Sequence, residues 1–145
     1  MSFQNPSDDV LRQMLADAKT IAVVGCSDKP ERTSYLIAEA MQRAGYRIIP
    51  VNPLIAGKTV LGETVKASLS EIEEPIDIVN VFRRSEEVLP VAEDAVKVTP
   101  TPKVLWLQQG IVNEQAGELA KEHGMNVVMD ACIKVLHAVL RPVRS

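Results

Sequence analysis

The strongest constraint on this chain is an alternation in its apolar pattern. Residues 20–25 (TIAVVG), 46–51 (YRIIPV), 76–82 (IDIVNVF), 103–107 (KVLWL) and 126–129 (NVVM) are short, nearly continuous apolar runs. Runs of this kind suit strands buried on both faces of a sheet. Around them lie segments whose apolar residues recur at helical spacing. Ser7 precedes Val10, Leu11, Met14 and Leu15, and Leu36, Ile37, Ala40, Met41 and Ala44 run up to Gly45. Val88, Leu89, Ala92, Ala95 and Val96 form a third stripe, and Ala116, Leu119 and Ala120 a fourth, between Asn113 and Gly124. Ile133 to Leu140 closes the series as a last short helix.

Punctuation supports these assignments. Ser7 and Asn113 are good N-caps, and Gly45 and Gly124 stand where helices end. Acids behind Ser85 suit a helix start, but Pro90 is awkward beyond a first turn, so that helix should begin late or irregularly. Residues 54–74 follow no single period and are expected to hold a loop, a short strand or a helical turn. Strands alternating with helices imply βαβ units with right-handed crossovers. The expected class is α/β, a Rossmann-like three-layer sandwich with a five-stranded, mainly parallel sheet, spanning residues 1–145 as one domain.

Size and charge narrow the function. The chain has 145 residues, few aromatics, and a formal net charge of −3. An acidic balance argues against a general nucleic-acid or membrane-surface binder. No apolar run reaches bilayer length, and the opening MSFQNPSDDV lacks the blocks of a signal peptide. Cys26 and Cys132 are far apart and make no CxxC or zinc-like cluster, so a reduced, cytoplasmic protein without a metal site is expected.

In open α/β sheets, ligands gather outside the carboxyl ends of the strands. Here that rule nominates residues 25–34, 52–58, 82–85, 108–111 and 130–132. Lys29, Arg32, Lys58, Arg83 and Arg84 fall in them against few acids, which points to an anionic ligand. The loop VVGCSDKPERTSY has Gly25, but Ser27 and Pro30 stand where a G-x-G-x-x-G fingerprint needs glycines. No acid follows the second strand to hold a ribose, so an NAD(H) site fits poorly. A phosphate can still sit on the helix start at Thr33, with hydroxyls from Ser27, Thr33 and Ser34 and the forked charge of Arg32. The bland alternative is an ordinary helix start after a polar loop.

Five stretches together (IAVVGCSDKPERTSY, IIPVNP with GKTVLGE, IDIVNVFRRSEEV, VLWLQQGIVNEQA and VVMDACIK) resemble the stand-alone CoA-binding proteins. These are relatives of the CoA-binding domain of the succinyl-CoA synthetase α subunit. The resemblance implies coenzyme A, or an acyl-CoA, lying across the strand ends. It implies a pyrophosphate over Gly25 to Ser34, contacted by Ser27, Arg32 and Tyr35. It further implies Asn52, Pro53 and Lys58 beside the nucleotide, Phe82 and Arg83 along adenine and ribose, and Gln108 and Gly110 closing the opposite side. One departure stands out. Members often carry D-R-C followed by a Glu-His pair, where this chain has Asp130, Ala131, Cys132, and Leu136 before His137.

No catalytic constellation is legible. Cys132, Cys26, Asp130, His123 and His137 each have a packing or capping reading that needs no chemistry. Three functions therefore remain open: a non-catalytic CoA-binding module, with a protein partner of unknown kind conceivable; an enzyme acting on a CoA thioester through Asp130 or Cys132; and an NAD(H)-binding redox regulator.

Overall fold

In the computed structural model, which describes residues 3–143, the alternation becomes an α/β sandwich. In chain order the elements are α1 (Asp8–Asp17), β1 (Thr20–Val24), α2 (Thr33–Arg43) and β2 (Arg47–Val51). A small hairpin follows, β3 (Thr59–Val60) with β4 (Glu63–Thr64). Then come β5 (Ile78–Val81), α3 (Val88–Val96), β6 (Val104–Leu107), α4 (Glu114–Glu122), β7 (Asn126–Val128) and α5 (Ile133–Leu140). The main sheet has the order β2-β1-β5-β6-β7, and all four pairings in it are parallel. The only antiparallel pairing described is in the separate hairpin.

Alternation along each strand divides the core into two layers. Ile21, Val23, Ile48, Ile78, Val104, Trp106 and Val128 face Leu11 and Leu15 of α1, Ile37 and Met41 of α2, and Ile133 and Leu140 of α5. Ala22, Val24, Ile49, Val51, Val79, Val81, Leu105, Leu107 and Val127 face Val88, Ala92 and Ala95 of α3 and Ala116 and Ala120 of α4. The core is almost wholly aliphatic, as the scarcity of aromatics requires, and Trp106 is the largest side chain buried in it.

Helix boundaries follow the expected chemistry. Ser7 accepts from the Val10 amide and Asn113 from the Ala116 amide. Pro90 is tolerated because a 3-10 turn, Ser85–Glu87, precedes α3 and leaves the proline in the first helical turn, where no amide is needed. Leu36 departs from its stripe: it is exposed, and Ser34 and Ala38 are buried with Ile37 and Met41. The buried face of α2 is thus rotated from the apolar stripe toward small residues. The irregular stretch holds 3-10 turns at Pro53–Ile55 and Leu69–Glu71 besides the hairpin. Arg47 ties it to the start of β2 through Glu63 at 2.8 Å and Glu74 at 2.6 Å. That pairing holds the Glu74 carboxyl below its ordinary range.

Candidate functional site

The strand order reverses between β1 and β5: β2 lies on one side of β1, and the chain continues through β5, β6 and β7 on the other. At such a switch point the loops leaving the two central strands part, and a crevice opens at their carboxyl ends. All five nominated segments follow the carboxyl ends of sheet strands, so the topology brings them to one edge of the molecule.

Gly25 makes the turn out of β1 at φ +87°, and a Cβ there would stand 2.3 Å from the Phe82 carbonyl oxygen. Both the backbone angle and the close approach demand glycine. Its amide donates to Val51 O at 2.8 Å, and the Phe82 amide donates to Val24 O at 2.8 Å, so the three exit loops are laced together. Asn52 adds a further tie, with Nδ2 on Cys26 O at 3.0 Å and Oδ1 on the Leu54 amide at 3.0 Å.

An open cleft of ≈ 400 Å³ lies over this turn, lined by Gly25, Ser27, Lys29, Arg32, Thr33, Ser34 and Phe82. Its floor is the amino end of α2. That helix has no side-chain cap and no acid in its first turn, as is also true of α3 and α5, whereas α1 and α4 have both. Free amides and the positive end of the helix dipole therefore face the cleft with no built-in anion. The side chain of Arg32 has no hydrogen bond or ion pair among the described residues. Two of the expected hydroxyls also shape the loop: Ser34 Oγ accepts the Ser27 amide, and Ser27 Oγ accepts the Lys29 amide, both at 3.0 Å.

On the other side of the switch point a second cleft of ≈ 350 Å³ runs between β1, β2 and α3. Val24, Val51, Leu69 and Val91 give it an apolar floor, and Pro53, Arg83, Glu87 and Asp94 border it. Arg83 Nε is the one fully buried side-chain polar atom left unpaired among the described residues. Leaving a charged donor buried without a partner is costly, which marks the place where an acceptor is missing.

The remaining nominated residues are placed differently from one another. Tyr35 packs against the core rather than lining either cleft. Lys58 pairs with Asp28 at 3.6 Å, across the loops that leave β1 and β2. Gly110, at φ +85°, donates its amide to Asp130 Oδ1 at 2.6 Å, so Asp130 serves the loop after β6. Gln108 is buried, with Oε1 accepting from Asn80 and from the Ile133 amide. The less regular stretch contributes Ser68 and Leu69 to the second cleft, residues that no pattern in the sequence marks. Asn80, the polar residue inside the run IDIVNVF, is buried and donates to Gln108 Oε1.

The tempting nucleophiles and ligands find ordinary roles. Cys26 is fully buried, and desolvation pushes its thiol up to about 11, away from reactivity. His123 Nδ1 meets Leu119 O at the end of α4, and the His137 ring stacks edge-on against Tyr46. Where the resemblance calls for arginine, the Ala131 carbonyl accepts from Trp106 Nε1, and Leu136 packs on the core. No group of three potential metal ligands occurs among the described residues. No helix among them is long and apolar enough to cross a membrane.

A third cleft of ≈ 410 Å³ lies at the opposite end of the sheet, between α1 and the starts of β5, β6 and β7. Its charged lining is Asp9, Asp17 and Asp77 against Lys103, the wrong sign for the anion that the carboxyl end suits.

Comparisons with known proteins bear on the family and the fold. Residues 19–138 match the family model described as a CoA binding domain. The chain is 54% identical over 139 residues to the uncharacterized protein YneT of Bacillus subtilis (strain 168), covering 96% of this chain and 100% of that protein. A solved structure from Thermus thermophilus, cell-free ID.343, superposes with a TM-score of 0.88 at 36% identity, covering 93% of this chain and 99% of the other. A dinucleotide-forming acetyl-coenzyme A synthetase 1 from Ca. Korarchaeum cryptofilum, solved with phosphate and ADP, shares the fold at a TM-score of 0.69 and 24% identity. The match covers 86% of this chain and 28% of that one.

Proposed function

This chain belongs to the CoA-binding domain family, and from that premise we propose that it binds coenzyme A or an acyl-CoA without catalysis of its own. The ligand lies across the carboxyl ends of β2, β1, β5 and β6. Its pyrophosphate rests on the amino end of α2, over Gly25, Ser27, Thr33 and Ser34, with Arg32 as the charged clamp. Adenine and ribose occupy the second cleft beside Pro53, where Arg83 Nε gains its acceptor, and Phe82 borders the ligand from the cleft over α2. Lys58 leaves Asp28 for a phosphate. Asn52 holds the two exit loops at the right separation, and Tyr35 acts from behind by packing α2.

One observation carries this reading. An uncapped, acid-free helix start and an unpaired buried arginine nitrogen stand on either side of a single glycine turn. Both lack the same thing, a polyanionic ligand. The alternatives have less support. For an enzyme acting on the thioester, Asp130 already has a structural role, since its Oδ1 accepts the Gly110 amide. An NAD(H) site would want an acid after β2, where Asn52 binds Cys26 O instead.

The test is thermal unfolding with and without ligand, because a molecule that binds only the folded state stabilises it. Coenzyme A should raise the midpoint. Arg32→Ala should weaken binding by about tenfold, the typical worth of one charge-assisted hydrogen bond. Unchanged midpoints with millimolar coenzyme A, dephospho-CoA and ATP alike would sink the assignment.

A further inference from the structure

The last helix, α5, is apolar almost all the way round. Ile133 and Leu140 are buried in the core, and Leu136 packs against it. The outer side carries Val135 at 53% exposure, Val139 at 67% and an exposed Ala138. Apart from His137, which stacks on Tyr46, the one polar side chain of the helix is Lys134. A surface helix should be polar on its outer side, and one that is apolar all round belongs in an interior. Because α5 packs against both α1 and α2, its outer side lies in the middle of one face of the molecule. Leu36 of α2, at 48% exposure, adds to that face. Single exposed apolar residues are ordinary, but a patch across adjoining helices marks an interaction surface.

Charge chooses the partner. The three helices carry Asp8, Asp9, Asp17 and Glu39 against Arg12, Arg43 and Lys134. That near-balance suits neither a polyanion nor an anionic lipid surface, either of which would need a basic excess. We propose that two copies of the chain associate through this face, with their α5 helices antiparallel about a twofold axis.

A twofold contact has to be complementary to itself, and α5 meets that condition. Val135 and Val139 are one turn apart on the outer side, so an axis between them sets Val135 of each copy on Val139 of the other. Ala138, the small residue beside them, lets the two helices approach closely. The same axis carries Lys134, which has no ion pair among the described residues, to the far end of the other α5. There Arg12 holds both Leu140 O at 2.9 Å and Asp9 Oδ1 at 2.8 Å, so Asp9, 94% exposed, stands beside the helix end. With Asp8 next to it, Asp9 offsets Arg12 and Arg141, and the negative end of the helix dipole tips the sum toward a cation.

Sedimentation equilibrium on the full chain tests this. Wild type should dimerise at micromolar concentration. Val139→Asp should weaken the dimer about tenfold or more, because each contact then buries an unpaired carboxylate. Val135→Lys should do the same, and thermal unfolding should find both variants folded, since both positions are exposed. Mixed in equal amounts, the two variants should pair again, because position 139 of one copy lies on position 135 of the other. Wild type that stays monomeric at about 0.5 mM overturns the proposal, and so does a dimer that Val139→Asp leaves unchanged. A mixture that stays monomeric overturns the antiparallel pairing. Each of these outcomes leaves the coenzyme A reading untouched.

Discussion

At the scale of single residues, Gly25 carries the site. Alanine there must adopt φ near +87° and push its Cβ against the Phe82 carbonyl, which sits on the neighbouring strand exit and cannot turn away. Gly25→Ala should cost about 2–4 kcal/mol, from left-handed strain plus overpacking, measured by urea unfolding. It should weaken ligand binding as well, since the turn aims the helix start. The glycine was legible in sequence as the residue between a strand and a helix. Its reason was not, because Phe82 is far away in the chain and backbone proximity leaves no mark on residue type. The same holds for Gln108: its position at a strand end could be read, but its inward bonds to Asn80 and Ile133 depend on which strands are neighbours.

At the scale of elements, the helices and the five sheet strands were readable because each has a period or a cap of its own. The hairpin β3–β4 was not, since two-residue strands are too short to show alternation. Another connection that stays hidden in the sequence is at the far edge of the sheet. Asn5, in the segment before α1, brackets Met129 just beyond β7: its Nδ2 donates to the Met129 carbonyl and its Oδ1 accepts the Met129 amide, both at 2.8 Å. A side-chain amide here imitates one rung of a neighbouring strand. Asn5→Ala should cost about 1–3 kcal/mol, because two backbone groups lose their partner together. Hydrogen exchange should quicken at the Met129 amide, and the amides of β1 should be unaffected.

For the whole molecule, sign and place of charge decide more than the total. The chain is acidic overall, yet Lys29 and Arg32 border the cleft over α2, and acids gather at the opposite cleft. Affinity for coenzyme A should therefore fall several-fold as salt rises from about 0.05 to 0.5 M, since exposed charges are screened within a few ångströms at the upper end. A salt-independent affinity would mean that the nucleotide is held by packing alone. The alternation of apolar runs was enough to place this end of the sheet. It could not supply the strand order, on which the pairing of β1 with β5 and hence the crevice depend.

Each border of the sheet also carries a contact from another segment. Beyond β2, which carries Pro50, residue Lys66 donates to Pro50 O at 2.9 Å and accepts from Asn52 at 2.8 Å; beyond β7, Asn5 holds Met129. An open strand border is a template on which a second chain can be laid down, and such contacts discourage that mode of assembly. Copies of this protein that do associate would meet instead through helical faces, where Leu36, Val135 and Val139 remain uncovered.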